Sequence, residues 1–188
     1  MTTPRTVAVI VGSLRKGSFS RITAKALAGL APANLKLEIV EIGDLALYNE
    51  DVEKEGPPAA WTAFRDQVRA ADAVLFVTPE YNRSVPGALK NAIDVGSRPY
   101  GKSCWAGKPG AVVSVSPGAM GAFGANHHLR QSLVFLDVAT LQQPEAYVGH
   151  IATLFDEAGQ ITNEGTKGFL TGFMASFASW IEAVLGRA

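Results

Sequence analysis

Val7-Ala8-Val9-Ile10-Val11 is an apolar run without a polar interruption, and it ends at Gly12. A strand covered on one face alternates apolar and polar side chains. A continuous run means that both faces are covered, the condition of a central strand in a parallel sheet. The pattern returns in Ala73-Val74-Leu75-Phe76-Val77-Thr78, stopped by Pro79, and in Gly110-Ala111-Val112-Val113-Ser114-Val115. Helical patterns stand between the runs: Ile22, Ala26, Leu27 and Leu30 before Pro32, then Trp61, Phe64, Val68 and Ala71. Another opens at Pro86, a favoured first-turn residue, with Leu89, Ala92 and Ile93 as its apolar face. Leu35-Lys36-Leu37-Glu38-Ile39-Val40 alternates and suits a strand nearer the sheet edge. Residues 43–60 hold Gly43, Gly56, Pro57 and Pro58 and read as a loop. Leu129, Leu133, Val134 and Leu136 mark a further helix, and Val138-Ala139-Thr140-Leu141 a short last strand, with Tyr147-Val148 as a possible extension of the sheet. Phe169, Phe173, Phe177, Ile181 and Val184, with Leu170, Met174 and Trp180 beside them, predict a closing helix whose aromatic stripe is core.

Strands and helices alternating in this way specify an α/β three-layer sandwich around a parallel sheet. Five strands fit the doubly wound, flavodoxin-like order 2-1-3-4-5. A Rossmann domain would need a sixth strand and a G-x-G-x-x-G after the first; the sequence offers neither. The 188 residues, 47% apolar, suffice for one well-packed domain over 1–188, with no internal repeat or linker. Seventeen basic and seventeen acidic residues cancel. That balance argues against a nucleic-acid binder, which needs a basic excess, and against an acidic electron carrier that docks on basic partners. One cysteine, Cys104, excludes an internal disulfide framework and a cysteine-built metal or iron–sulfur site. No run is read as reaching the ~18–20 apolar residues of a membrane span. Met1 to Arg5 carries no secretory signal, so the expected location is the cytoplasm.

Three loops carry the chemistry. The first, Gly12-Ser13-Leu14-Arg15-Lys16-Gly17-Ser18-Phe19-Ser20-Arg21, opens a helix. A helix N-terminus offers unpaired N–H groups and a partial positive charge. Ser13, Ser18 and Ser20 add hydroxyl donors, and Arg15 can clamp phosphate oxygens in a bidentate pair. Gly12 and Gly17 have Walker spacing, but Ser18-Phe19 stands where Lys-Ser/Thr is required. The bland alternative is an N-capped helix with a solvated basic loop. In the second loop, Thr78 to Gly87, Pro79 and Pro86 fix both ends, Tyr81 supplies a flat face, and Asn82 with exposed amides supplies edge hydrogen bonds for a planar heterocycle. An ordinary strand-to-helix turn would look the same. The third, Ser116 to Gly124, has three glycines at spacing three, which permit close backbone approach to a ligand or simply a flexible turn.

Topology joins them. In the order 2-1-3-4-5, strands one, three and four are neighbours, so their C-terminal loops line one crevice, at the point where the chain reverses its winding. Ligands of open α/β sheets bind there, and flavodoxin with its FMN is the general example. Phosphate on the first loop and a flat ring between the second and third describe a mononucleotide.

At these residues the sequence resembles the NADPH-dependent FMN reductase family, most closely its bacterial quinone and chromate reductase branch. Gly12-Ser13, Arg15 and Ser18 match Gly-Ser-x-Arg-x-x-Ser. The second motif, Pro-Glu-Tyr-Asn-x-Ser-x-Pro-Gly-x-Leu-Lys-Asn-Ala-Ile-Asp, is matched from Pro79 through Asp94, with Ser97-Arg98 following. The likeness runs over essentially the whole chain, including Lys108-Pro109 and His128-Leu129-Arg130-Gln131. It implies non-covalent FMN. The phosphate would lie against Ser13, Arg15, Ser18 and Ser20, with Phe19 beside them. Pro79, Glu80, Tyr81 and Asn82 would meet the isoalloxazine ring, largely through backbone groups. Ser116 and Gly118, with Gly121, would close the other side. Relatives tend to carry Gly-Gly where this chain has Gly121-Ala122, and a positive φ at Ala122 would be strained. The implied reaction passes a hydride from NADPH or NADH to FMN and then reduces a small acceptor by a ping-pong route. Quinones lead the acceptors, with azo dyes, nitroaromatics, chromate or free flavin as others. No side-chain nucleophile or base is required, since the cofactor carries the chemistry. The family also implies a homodimer or homotetramer, with FMN near the subunit boundary.

Some residues mislead. His127-His128 looks like a metal pair, but neighbours on a helix point ~100° apart. A structural or interface role fits better, including a meeting with Glu145 across a dimer contact. Cys104 has no resolving partner and reads as incidental. Lys90 and Asp94 form a solvated i, i+4 pair. Two other functions share the fold: a flavodoxin-type single-electron carrier and a cofactor-free binding module.

Overall fold

In the computed structural model, which describes residues 4–186, the buried runs form the centre of a parallel sheet. Its strands are β1 (Arg5–Val11), β2 (Leu35–Val40), β3 (Ala73–Thr78), β4 (Pro109–Val115), β5 (Ala139–Thr140) and β6 (Ala146–Val148). The helices are α1 (Phe19–Leu30), α2 (Glu50–Glu55), α3 (Ala59–Ala70), α4 (Gly87–Gly96), α5 (Phe123–Phe135) and α6 (Glu164–Leu185). Strand order is β2-β1-β3-β4-β5, as the alternation predicts. The fifth position is shared. β5 pairs with the start of β4 (Pro109 with Ala139) and β6 with its end (Val113 with Ala146 through Val115 with Val148). Six strands therefore replace the predicted five, with Tyr147-Val148 inside the sheet.

Each residue of β3 and β4 is buried, whereas β2, on the edge, exposes Lys36 and half-buries Glu38's neighbours Leu37 and Ile39. Period-two geometry sends Val7, Val9 and Val11 into the layer under α1 and α6, and Ala8 and Ile10 into the layer under α3, α4 and α5.

Three expectations are corrected. Residues 43–60 contain α2, capped by the Asn49 side chain on Asp51 N–H (2.9 Å) and fixed by Glu53 paired with buried Arg65. None of its residues is buried, so no apolar period marks it. The closing-helix stripe is offset: Leu170, Phe173, Met174, Phe177, Ala178 and Ile181 are core, while Phe169 is exposed. Finally, α6 is 22 residues long with mean hydropathy 1.4, enough by length and composition to cross a membrane. Its interspersed Gly, Ala, Ser and Thr hide the run from inspection, and here its apolar face packs on the sheet. The N-terminal reading at Met1–Thr3 lies outside the described residues.

Candidate functional site

The C-terminal ends of β1, β3 and β4 open into a cleft of about 240 Å³. It is lined by Ser13, Arg15, Ser18, Phe19 and Ser20 from the first loop, Pro79, Glu80 and Tyr81 from the second, and Val115, Ser116 and Pro117 from the third. Nine predicted residues thus meet in one place. Asn82, Gly118 and Gly121 do not line it. A larger hollow of about 580 Å³ lies between α1 and residues 156–161, rimmed by Lys25, Lys167, Asp156 and Glu157. Its charges are exposed and of mixed sign, and it takes no residue from the three loops at the strand ends, so the smaller cleft is the functional candidate.

The first loop is built for an anion. Ser18 is the N-cap of α1, its Oγ accepting from Arg21 N–H at 3.2 Å, which leaves its hydroxyl hydrogen free to donate. Ser13, Ser18 and Ser20 are all buried in the cleft wall. The first turn of α1 contains no acidic residue, so the positive helix end is uncompensated. Arg15 is exposed and makes no ion pair among the described residues, whereas Arg21 is committed to Glu41 through two bonds of 2.7 and 2.6 Å. That pair holds the Glu41 carboxyl below its ordinary range. Gly12 permits close approach of β1 and β3, because a Cβ there would lie 2.9 Å from Thr78 Oγ1 and 3.1 Å from Leu89.

The second loop folds back as a two-residue hairpin. Tyr81 and Ser84 exchange backbone bonds of 3.0 Å, with Asn82 and Arg83 both at positive φ (51° and 64°). Asn82 sits at the exposed tip. The Glu80 carboxylate is held by two partners: one oxygen accepts from Ala125 N–H (2.9 Å), the other from Arg83 (3.2 Å). Ala125 is in the first turn of α5, whose N-cap, Ala122, has no capping side chain. Glu80 therefore caps α5 from a different loop and ties the second loop to the third. Ser84 Oγ and His128 Nδ1, 2.7 Å apart, make a second tie.

In the third loop, Gly121 and Ala122 both take left-handed backbone (φ 58° and 60°). A Cβ on Gly121 would lie 2.5 Å from the Tyr147 carbonyl carbon, so Gly121 is pressed against β6, away from the cleft. The strain expected at Ala122 is present, and the residue is buried. Gly118 is exposed, and its carbonyl accepts from His150 N–H of the neighbouring turn at 3.2 Å. Val115 and Pro117 were not singled out as ligand contacts in the sequence; their place at the end of a central strand is the signal that marks them.

His127 meets Glu145 within one chain, at 3.9 Å, and its Nε2 lies 2.8 Å from Tyr147 Oη. Burial, then the Glu145 carboxylate, pushes the Tyr147 phenol up to about 12. Cys104 is buried, which raises its thiol to about 12 and keeps it unreactive. Lys90 and Asp94 pair on the surface at 2.8 Å.

Hydroxyls, an unpaired guanidinium and a helix N-terminus at one end, with Pro79, Tyr81 and apolar walls at the other, are the chemistry of a phosphorylated planar ring. The model of the family described as NADPH-dependent FMN reductase matches residues 5–153. A quinone reductase of Pseudomonas putida is 66% identical over 182 residues, covering 97% of this chain and 96% of the relative. A 2-hydroxy-1,4-benzoquinone reductase of a Burkholderia species is 47% identical over 93% of this chain and 95% of its own length. Among solved structures, the flavoenzyme NAD(P)H:(acceptor) oxidoreductase FerB of Paracoccus denitrificans is 44% identical and superposes with a TM-score of 0.90 over 95% of this chain and 98% of its own. The chain belongs to the NADPH-dependent FMN reductase family, as an FMN-dependent oxidoreductase of flavodoxin-like fold.

Proposed function

We propose that the chain takes reducing equivalents from NADPH or NADH and passes them to a quinone by ping-pong exchange at one cleft, with azo dyes, nitroaromatics, chromate or free flavin as other possible acceptors. The observation that carries this reading is the convergence of Ser13, Arg15, Ser18, Phe19, Ser20, Pro79, Glu80, Tyr81 and Ser116 on that cleft. Its donor set fits FMN: cation and hydroxyls at the helix end, no carboxylate directed at them, and a flat apolar slot beyond. FMN, when bound, supplies hydride acceptance from the nicotinamide and two-electron delivery to the acceptor. Ser13, Ser18, Ser20 and Arg15 hold the phosphate. Pro79, the Glu80 backbone and Tyr81 flank one side of the ring, with Asn82 at its edge, and Ser116 bounds the other side. Gly118 and Gly121 shape that side from behind. Tyr81 is half exposed, so one ring face stays open to successive small partners.

The reading includes a cytoplasmic location and a homodimer or homotetramer, the latter supported by Val134 and Phe135 at 78% and 77% exposure on α5. Light scattering after gel filtration checks the oligomer; a monomer would remove that part.

The main test is anaerobic. The purified protein, reconstituted with FMN, is mixed with NADPH or NADH and then with benzoquinone. Flavin bands that bleach within seconds and return on quinone addition, with parallel double-reciprocal plots, are expected. A colourless protein that FMN cannot reconstitute would overturn the reading.

A further inference from the structure

A buried relay of polar side chains runs from α5 to the third loop. Arg130 Nε donates to Asn126 Oδ1 (2.9 Å), and Arg130 NH1 donates to the Leu141 carbonyl (2.9 Å). Asn126 Nδ2 donates to Ser114 Oγ (3.1 Å), and Ser114 Oγ donates to the Gly121 carbonyl (2.7 Å). Asn126 and Ser114 are fully buried.

The direction of the relay is fixed. A guanidinium can only donate, so the Asn126 oxygen faces it and the amide nitrogen must face Ser114. That leaves the single Ser114 hydrogen for a carbonyl, and the Gly121 oxygen at 2.7 Å is much nearer than the Ala146 oxygen at 3.4 Å. The receiving group is the one that needs holding. Gly121 and Ala122 form consecutive left-handed residues, and Ala122 has a Cβ that disfavours this conformation. Its carbonyl is also the first acceptor of α5, bonding Asn126 N–H at 3.1 Å. Without a donor on the Gly121 oxygen, the loop would relax toward ordinary backbone and Ser116 and Pro117 would move with it. The Arg130 NH2 nitrogen is buried without a protein partner among the described residues, a cost that stability alone would not select.

We propose that Arg130, acting through Asn126 and Ser114, is the positioning residue that locks the strained Gly121-Ala122 turn and so sets the wall of the cleft opposite Tyr81. The proposal rests on the reading of this cleft as the flavin site.

The test uses Asn126→Asp and Arg130→Met in the full-length protein, each alone and with Ala122→Gly. Asp at 126 keeps a partner for Arg130 but turns the Ser114 hydroxyl toward itself, so the Gly121 carbonyl loses its donor. Both single variants are expected to raise the Kd for FMN about tenfold. They should also change the visible circular dichroism of bound FMN at saturation, and speed amide exchange over residues 117–124 about tenfold while β1 and β3 stay protected. Ala122→Gly removes the reason for the lock, so the double variants should return to within about threefold of the parent Kd. Unchanged Kd, dichroism and loop exchange in a folded Asn126→Asp protein would overturn the proposal. So would a loss that Ala122→Gly does not repair, which would mark a general packing defect. Should Asn126→Asp fail to fold, Ser114→Ala removes the same donor and is judged by the same outcomes. If the parent protein itself does not bind FMN, the flavin reading fails, while loop exchange in the cofactor-free protein still decides the relay.

Discussion

Replacing Glu80 separates its charge from its shape. The carboxylate is 14% exposed and satisfies the Ala125 N–H that the α5 N-cap cannot reach. Glu80→Gln keeps an acceptor oxygen and removes the charge. The charge–helix interaction is worth ~0.3–1 kcal/mol, and the pair with Arg83, whose side chain is 74% exposed, adds ~0–1 kcal/mol. A loss of about 1 kcal/mol is expected for Gln. Glu80→Ala also leaves Ala125 N–H without its acceptor, and losing a cap costs ~0.5–2 kcal/mol, for a total of about 2 kcal/mol. In a chain of this size 1 kcal/mol moves Tm by ~2–4 °C, so Gln should lower it by about 3 °C and Ala by about 6 °C. The assay is thermal unfolding of the FMN-free protein followed by far-ultraviolet dichroism, with amide exchange read at Ala125. Exchange there should rise strongly in the Ala variant and little in the Gln variant. Equal Tm shifts in the two variants, or an unperturbed Ala125 amide in Glu80→Ala, would refute the assignment of Glu80 as the cap of α5.

Arg15→Ala should weaken FMN binding about tenfold to a hundredfold on titration, the worth of one charge-assisted contact to phosphate, with Tm of the cofactor-free protein unchanged. Gly96→Ala places a Cβ 2.5 Å from the Trp105 indole, which is pinned by its bond to the Ile93 carbonyl (3.1 Å) and packed on Phe64 and Phe76. Overpacking of ~1–3 kcal/mol should outweigh the ~1 kcal/mol gain in helix propensity, lowering the urea midpoint. The Glu41 carboxyl is held down first by its hydrogen bond to Arg21, so its stabilisation is complete above its ordinary value of 4.5 and fades as pH falls through the lower folded value. Glu41→Gln should therefore narrow the stability difference between pH 6 and pH 3, and an unchanged acid profile would contradict the pair.

The central fold was legible because Val7–Val11, β3 and β4 are buried on both faces, so their apolar runs are nearly continuous, broken in β4 only by Ser114. Loop placement followed from strand order, since the order brings Ser13, Tyr81 and Ser116 to one edge without knowledge of any contact. Helix α2 was hidden because Asn49 and Arg65 hold it by polar contacts that leave no apolar period. The direction of Glu80 was hidden for a related reason. Its partner, Ala125, is distant in the chain, and an alanine N–H carries no sequence signal. Strain at Ala122 was legible only as a condition, because φ is set by what Ser114 and β6 do to the turn.

The shared fifth position of the sheet has a consequence for the behaviour of the chain at high concentration. An open parallel sheet ends in rows of unpaired amides and carbonyls that can recruit strands from other molecules. Here one border is divided between β5 and β6, two and three residues long and separated by residues 141–145, so it presents no continuous row. The other border, β2, places Lys36 and Glu38 on its exposed side, paired at 2.6 Å, and a strand added there would have to dehydrate both charges. Both margins thereby resist edge-to-edge polymerisation, and the fold keeps its most β-prone segments, Val7–Val11 and Ala73–Thr78, shielded between neighbours.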